Sequence, residues 1–185
     1  MIQNKVIIFP TDTVYGIGAS IYDKIGMDRI YKIKNRPIDK PLAVLCANLE
    51  QIDEICYLTE DAKKLIKAFL PGPLTLILRS KDSILPTFGR PTVGVRIPNY
   101  DTALDILKEN GPMATTSVNE SGQPSMNNYN DIVLEFGSYV DMVYPPSGAN
   151  TSSLPSTVVD ITKEEPVVLR VGAITLDMIN EILKK

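Results

Sequence analysis

Short apolar runs that stop at proline, glycine or a polar turn alternate along this chain with stretches whose apolar residues recur at helical spacing. A run such as Lys5–Pro10, "KVIIFP", is apolar, β-branched and ended by proline, so it reads as a buried strand. The same reasoning gives strands at "PLAVLCA" (Pro41–Ala47), Leu74–Leu78, "TVGVRIP" (Thr92–Pro98), "PMATTSVN" (Pro112–Asn119), "STVVDI" (Ser156–Ile161) and "VVLRV" (Val167–Val171). Helical spacing predicts helices over Asp23–Lys32, Thr59–Phe69, Asp101–Glu109, Asp131–Phe136 and Leu176–Lys184. Thr59 is the natural N-cap of its helix, with Glu60 and Asp61 in the first turn, and Pro37 should end the first helix near Asn35. "TDTVYGIGAS" reads as a hydroxyl-rich, glycine-bearing turn, and the Gly, Ser, Asn and Pro of Ser121–Asn130 and Pro145–Pro155 read as loops. Strands alternating with helices predict a mixed α and β fold, a sheet covered by helices on its faces.

Length and composition place that fold in one domain, residues 1–185, with 44% hydrophobic residues for a core and 22% charged. The net charge of -3 argues against a dedicated nucleic-acid coat, which would be basic, so any nucleic-acid contact is expected to be local or transient. No histidine is present, which removes Ser-His-Asp and Cys-His catalysis and histidine zinc sites together. Cys46 and Cys56 form no C-x-x-C motif and read as reduced thiols. The apolar run near the N-terminus is too short for a signal peptide or membrane span, so a cytoplasmic protein is expected.

Nucleotide motifs are incomplete. There is no G-x-x-x-x-G-K-[ST], and "GIGASI" lacks the third glycine of G-x-G-x-x-G, so Gly16 and Gly18 read as turn glycines. "KNRPIDKP" (Lys34–Pro41) is more pointed: Lys34, Arg36 and Lys40 sit on a segment stiffened by two prolines, with Lys34 and Arg36 able to project to one side. It is either a solvated helix terminus or a grip for phosphate oxygens, which a guanidinium fork and an ammonium both suit. Other polar residues stand at strand ends: Thr11, Thr13, Ser117, Asn119 and Ser156. Arg96 and Arg170 lie within apolar strands, where each either pairs with an internal carboxylate or meets an anionic ligand.

The blocks "FPTDTVYGIGA", "KIKNRPIDKPLAVL", "LPGPLTLIL", "TVGVRIP", "TTSVNESGQPS", "STVVDI" and "VLRVGAI" follow the order and spacing of the YrdC-like family, over about Lys5 to Ile174. The chain resembles the threonylcarbamoyl-AMP synthases of that family, the TsaC type. The resemblance implies a twisted mixed sheet around a concave, positively charged cavity. It also implies condensation of L-threonine, bicarbonate or carbon dioxide and ATP into threonylcarbamoyl-adenylate and pyrophosphate, for the t6A modification of tRNA. By the same resemblance the K-x-R motif falls on Lys34 and Arg36, expected to face the cavity and carry catalysis. L-threonine would meet Thr13, Arg96, Ser117 and Ser156; ATP would meet Arg36, Lys40, Thr92, Asn119, Asn127 and Arg170. Mg2+ is expected to arrive with ATP and to be held mainly by it. Downstream threonylcarbamoyl-transferase proteins are the expected partners, with tRNA at most a transient one and no membrane.

The chain also departs from the family's pattern. It begins almost at the first strand, Leu45 stands where relatives often carry a polar residue, "RVG" replaces R-P-G, and no second domain is expected. Two rivals share the resemblance: a YrdC-like module that binds RNA without catalysis, and a carbamoyl-transfer relative. Threonine-dependent release of pyrophosphate separates the synthase from both.

Overall fold

The computed structural model describes residues 4–147 and 154–184. Its strands are β1 (Ile7–Phe9), β2 (Gly16–Ser20), β3 (Ala43–Leu45), β4 (Cys56–Tyr57), β5 (Leu74–Ser80), β6 (Thr92–Arg96), β7 (Met113–Ser117), β8 (Met142–Val143), β9 (Thr157–Asp160) and β10 (Val167–Arg170). The helices are α1 (Lys24–Ile33), α2 (Leu49–Ile55), α3 (Glu60–Phe69), α4 (Leu85–Phe88), α5 (Asp101–Asn110), α6 (Tyr129–Phe136) and α7 (Leu176–Leu183). One mixed sheet runs β10-β9-β5-β6-β3-β7-β2-β1-β8, with β4 on the edge of β5. The pairs β1–β8, β3–β6 and β5–β9 are parallel and the remainder antiparallel.

The two faces of this sheet differ. On one, Val44, Leu74, Leu76, Val93, Val95 and Val159 pack with residues of α2, α3 and α7. Farther along it, Ile8, Ile17, Ala19 and Ala114 pack with α1 and α6. On the opposite face α5 covers Ile7, Phe9, Leu45 and Met113. Beyond α5 that face has little to bury. A cross-strand row runs Gly18, Thr115, Ala43, Gly94, Ile77, and Gly16 sits opposite Ser117. Small side chains along the middle of a sheet leave a hollow where a packed face would otherwise stand.

The expected strands and helices are present, and the Thr59 hydroxyl accepts from the Ala62 amide as an N-cap should. The "GIGAS" stretch is a correction: it is a central strand, paired with β1 and β7. Its glycines are required by close approach. A Cβ at Gly16 would lie 2.7 Å from Thr115 Cγ2, and one at Gly18 would lie 2.9 Å from Thr115 Oγ1. Glycine carries no side-chain pattern, so alternation cannot report such a strand. Helices α2 and α4 and the two-residue strands β4 and β8 are further elements that periodicity does not announce. The loop expected over 145–155 falls largely on residues 148–153, outside the described residues.

Candidate active site

The hollow is a cavity of about 500 Å³ whose floor is that bare face of the sheet. Strand alternation decides what enters it. In β6, Val93 and Val95 go to the core while Thr92, Gly94 and Arg96 line the cavity. In β5, Thr75 and Ile77 line it; Ser156 and Val158 do so around β9. Arg36, Arg90, Arg96 and Arg170 all line this space, and no aspartate or glutamate among the described residues does. A chain of net charge -3 thus concentrates positive charge in one concavity.

Arg96 lies on the floor and is 5% exposed. Its Nε donates to Gly72 O (2.9 Å), Nη1 to Thr13 Oγ1 (2.7 Å) and Nη2 to Asp12 Oδ1 (2.5 Å). Of the two readings left open for it, the internal carboxylate is the one observed, and Arg96 also lines the cavity. Burial depresses its proton affinity, and Asp12 offsets only part of that. One proton on each Nη remains unengaged by this set, so the fork is fixed in place and still able to donate. Thr13 Oγ1 is 3.1 Å from Thr11 Oγ1, which continues the buried hydroxyl cluster. Ser156 Oγ lies 2.8 Å from Thr75 Oγ1 and accepts from Arg170 Nη2 at 3.0 Å. A bulge between Val168 and Arg170 interrupts the β9–β10 register and turns Arg170 over the cavity. Gly172 makes this crossing possible, since a Cβ there would sit 2.5 Å from Pro155 O.

Lys34 is the main correction. It was expected to face the cavity beside Arg36, yet it is 1% exposed and does not line it. Its Nζ donates to Ser117 O, to Asn119 O (2.6 Å) and to Asn119 Oδ1 (2.7 Å). The reason is Asn35, whose φ of 50° is the left-handed conformation that asparagine tolerates. That turn breaks the extended geometry that would have put Lys34 and Arg36 on one side. Burial pushes the Lys34 ammonium down to about 7, with the neighbouring Arg36 charge acting in the same direction. Three oxygens around one ammonium favour the charged form and oppose that shift.

Arg36 is half-buried, lines the cavity and donates from Nε to Lys40 O (3.1 Å) and from Nη2 to Pro41 O (2.8 Å). It holds the 36–41 loop in a tight curl. Lys40 is exposed on that loop and lies outside the cavity lining.

Ser117 lines the cavity and donates to Asn119 Oδ1 at 2.9 Å. Asn119 does not line it: its amide joins Lys34, Ser117 and Gln123 O. Asn127 is likewise outside the lining, accepting from the Tyr15 amide at 3.2 Å and fixing the start of β2. The structure thus gathers Arg36, Thr13, Arg96, Ser117, Ser156, Thr92 and Arg170 around one space, and sets Lys34, Lys40, Asn119 and Asn127 behind or beside it.

Sequence reasoning missed Asp12, Thr75 and Arg90. Asp12 was in plain view within "PTDT", and Arg90 repeats the Arg-Pro pair of Arg36-Pro37 at Arg90-Pro91. Among the described residues no group of three or more His, Cys, Asp or Glu could hold a metal ion. Cys46 and Cys56 are buried free thiols, both pushed up by burial.

A model of the Sua5, YciO and YrdC family, described as "Telomere recombination", matches residues 1–172. The chain is 36% identical over 186 residues to a protein of Pyrococcus abyssi named threonylcarbamoyl-AMP synthase, covering 98% of this chain and 54% of that one. It is 36% identical over 182 residues to a protein of Mycobacterium leprae named putative threonylcarbamoyl-AMP synthase, covering 97% and 82%. Its fold superposes with a TM-score of 0.89 on the crystal structure of P. abyssi Sua5 complexed with L-threonine, at 34% identity, over 97% of this chain and 54% of that one. The chain therefore spans about half the length of the archaeal relative.

Proposed function

Because the chain belongs to the Sua5, YciO and YrdC family, we propose that it makes threonylcarbamoyl-adenylate from L-threonine, bicarbonate or carbon dioxide, and ATP, releasing pyrophosphate. One observation carries this reading: a cavity of about 500 Å³ that, among the described residues, is lined by four arginines and many hydroxyls and by no carboxylate, in an acidic chain. Such a space suits an amino acid and a polyanion together.

In this reading the unengaged Nη protons of Arg96 receive the threonine carboxylate, while Asp12, Gly72 and Thr13 hold the guanidinium plane. The Thr13, Ser117 and Ser156 hydroxyls orient the amino acid. The unprotonated amine attacks carbon dioxide, losing a proton to solvent, or bicarbonate, with loss of water, to give a carbamate. A carbamate oxygen then attacks the α-phosphorus of ATP, and the bond to the β-phosphate oxygen breaks with departure of pyrophosphate. No side-chain nucleophile is needed; positioning and charge neutralisation lower the barrier. Arg36, with Arg170 and Thr92, faces the phosphates. Lys34 acts through the 117–119 segment, which its ammonium ties down, and is a positioning residue in this scheme. Asn119 and Asn127 shape the same wall, and Lys40 adds charge at the loop. Magnesium is proposed to come as the counter-ion of ATP, and no carboxylate cluster that could hold it stands among the described residues.

The same proposal covers the setting: tRNA t6A formation, a downstream threonylcarbamoyl-transferase as consumer of the adenylate, transient tRNA contact at most, and the cytoplasm. Two free thiols fit a reducing compartment, and no described helix is long and apolar enough to cross a membrane. The test is incubation with ATP, threonine and bicarbonate, omitting each in turn. Pyrophosphate release should require all three; release that persists without threonine would overturn the reading.

A further inference from the structure

Arg90 lies outside every motif of the family resemblance, yet it lines the cavity. It sits half-buried on the connection from α4 to β6, between Gly89, in the left-handed region at φ 72°, and Pro91. That backbone is fixed by one residue that tolerates a positive φ and one whose φ is locked. Arg90 makes no ion pair among the described residues. Its Nη2 donates to Ile38 O, and its other N–H groups have no protein acceptor among the described residues, so they are open to water or to a ligand.

Ile38 belongs to the 36–41 loop, in which the carbonyls of Lys40 and Pro41 are held by Arg36. Two arginines from distant segments therefore fasten one loop and face one space. They are near enough that the Arg90 charge contributes, after burial, to lowering the proton affinity of Arg36. Like charges set face to face are unfavourable until an anion comes between them. One phosphate group matches one guanidinium fork, so two forks suit adjacent phosphates.

The geometry points to Arg90 as a further phosphate-contacting residue that, with Arg36, grips the terminal phosphates of a nucleoside triphosphate. It would bind the portion that leaves as pyrophosphate and, through Ile38, couple that contact to the 36–41 loop. The inference rests on the reading that the cavity takes a nucleotide.

Calorimetric titration of the full chain with inorganic pyrophosphate and, separately, with AMP tests it in wild type, Arg90→Gln and Arg90→Lys. Arg90→Gln should weaken pyrophosphate by roughly 10-fold or more and AMP far less, with partial recovery in Arg90→Lys. A residue that only fastened the loop would weaken both ligands alike, and that result overturns the proposal. So does unchanged pyrophosphate affinity in folded Arg90→Gln, or a wild type that binds no pyrophosphate. If Arg90→Gln does not fold, Arg90→Lys must show the same bias against pyrophosphate for the proposal to stand. A wild type that binds pyrophosphate through Arg90 but never turns over threonine would reject the synthase reading and leave this one intact.

Discussion

The floor and the wall of the cavity treat positive charge in different ways. On the floor, Arg96 is buried and has protein oxygens on Nε and both Nη atoms, including a carboxylate 2.5 Å away. Behind it, Lys34 is equally enclosed and meets three oxygens. On the wall, Arg36 and Arg90 are half-buried and hold carbonyls of one loop, with the Tyr31 hydroxyl beside Arg36, and neither makes an ion pair among the described residues. A cation removed from water needs permanent partners to survive in the empty protein. A cation that keeps contact with water can wait for an anionic ligand. Floor cations are therefore held as part of the fold, whereas wall cations fasten a loop and keep contact with the open cavity, where the proposed ligand would meet them.

Removing Arg96 should have the largest effect, because Asp12 is left with its charge 15% exposed and unpaired. Arg96→Ala is expected to cost about 3 kcal/mol in stability and roughly 100-fold in threonine affinity. Chemical denaturation and calorimetric titration measure the two, and a double variant with Asp12→Ala should lose less stability than the sum of the singles. Additive losses would mean that the floor pair is not coupled.

Arg36→Ala should instead cut turnover by roughly 100-fold while the melting temperature barely moves. Steady-state kinetics beside a melting curve checks this; a destabilised variant with normal turnover would erase the contrast between wall and floor.

Lys34→Met sharpens it from the other side. It strands the carbonyls of Ser117 and Asn119 and the Asn119 side chain, so a loss of about 2 kcal/mol is expected, with kcat falling through a loosened 117–119 segment. A variant as stable as wild type would show that the buried ammonium carries no structural role.

The smallest effect is in pH. The folded Lys34 pKa, about 7, lies below its ordinary 10.5, so the unfolded chain holds the proton over pH values where the folded one releases it. Stability should therefore rise as pH increases from about 7 to 8.5, by less than about 1.4 kcal/mol per unit because three oxygens resist the release. Above that window the buried Cys46 and Cys56 thiols act in the opposite sense, since their raised pKa values make the unfolded chain lose protons first. Denaturation midpoints measured at each pH in wild type and Lys34→Met should show the slope only in wild type.

The sequence by itself determined which residues alternate and therefore which face they share. The pattern of "TVGVRIP" alone put Thr92, Gly94 and Arg96 together, and the structure keeps them on the cavity floor. Apolar runs and caps likewise marked most long elements, since strand period, N-cap chemistry and proline geometry are properties of neighbours along the chain. The ordered motifs, through their resemblance to a family, pointed to Arg36, Arg96 and Arg170 and to the hydroxyls of Thr13, Thr92, Ser117 and Ser156, all of which meet in the cavity.

What only the tertiary structure decided depends on residues far apart in the chain. Nothing local says that Gly16 and Gly18 form a strand, because the reason lies in Thr115 across the β2–β7 pairing. Nothing local says that Arg96 would find Asp12, or that Arg90 would cross to the carbonyl of Ile38. Lys34 and Arg36 are nearly adjacent in sequence and chemically alike. One positive φ at Asn35, together with the waiting carbonyls of Ser117 and Asn119, sends the first into the core and leaves the second on the cavity wall. A buried ammonium goes where oxygens can replace its water, and the positions of those oxygens are set by the packed fold.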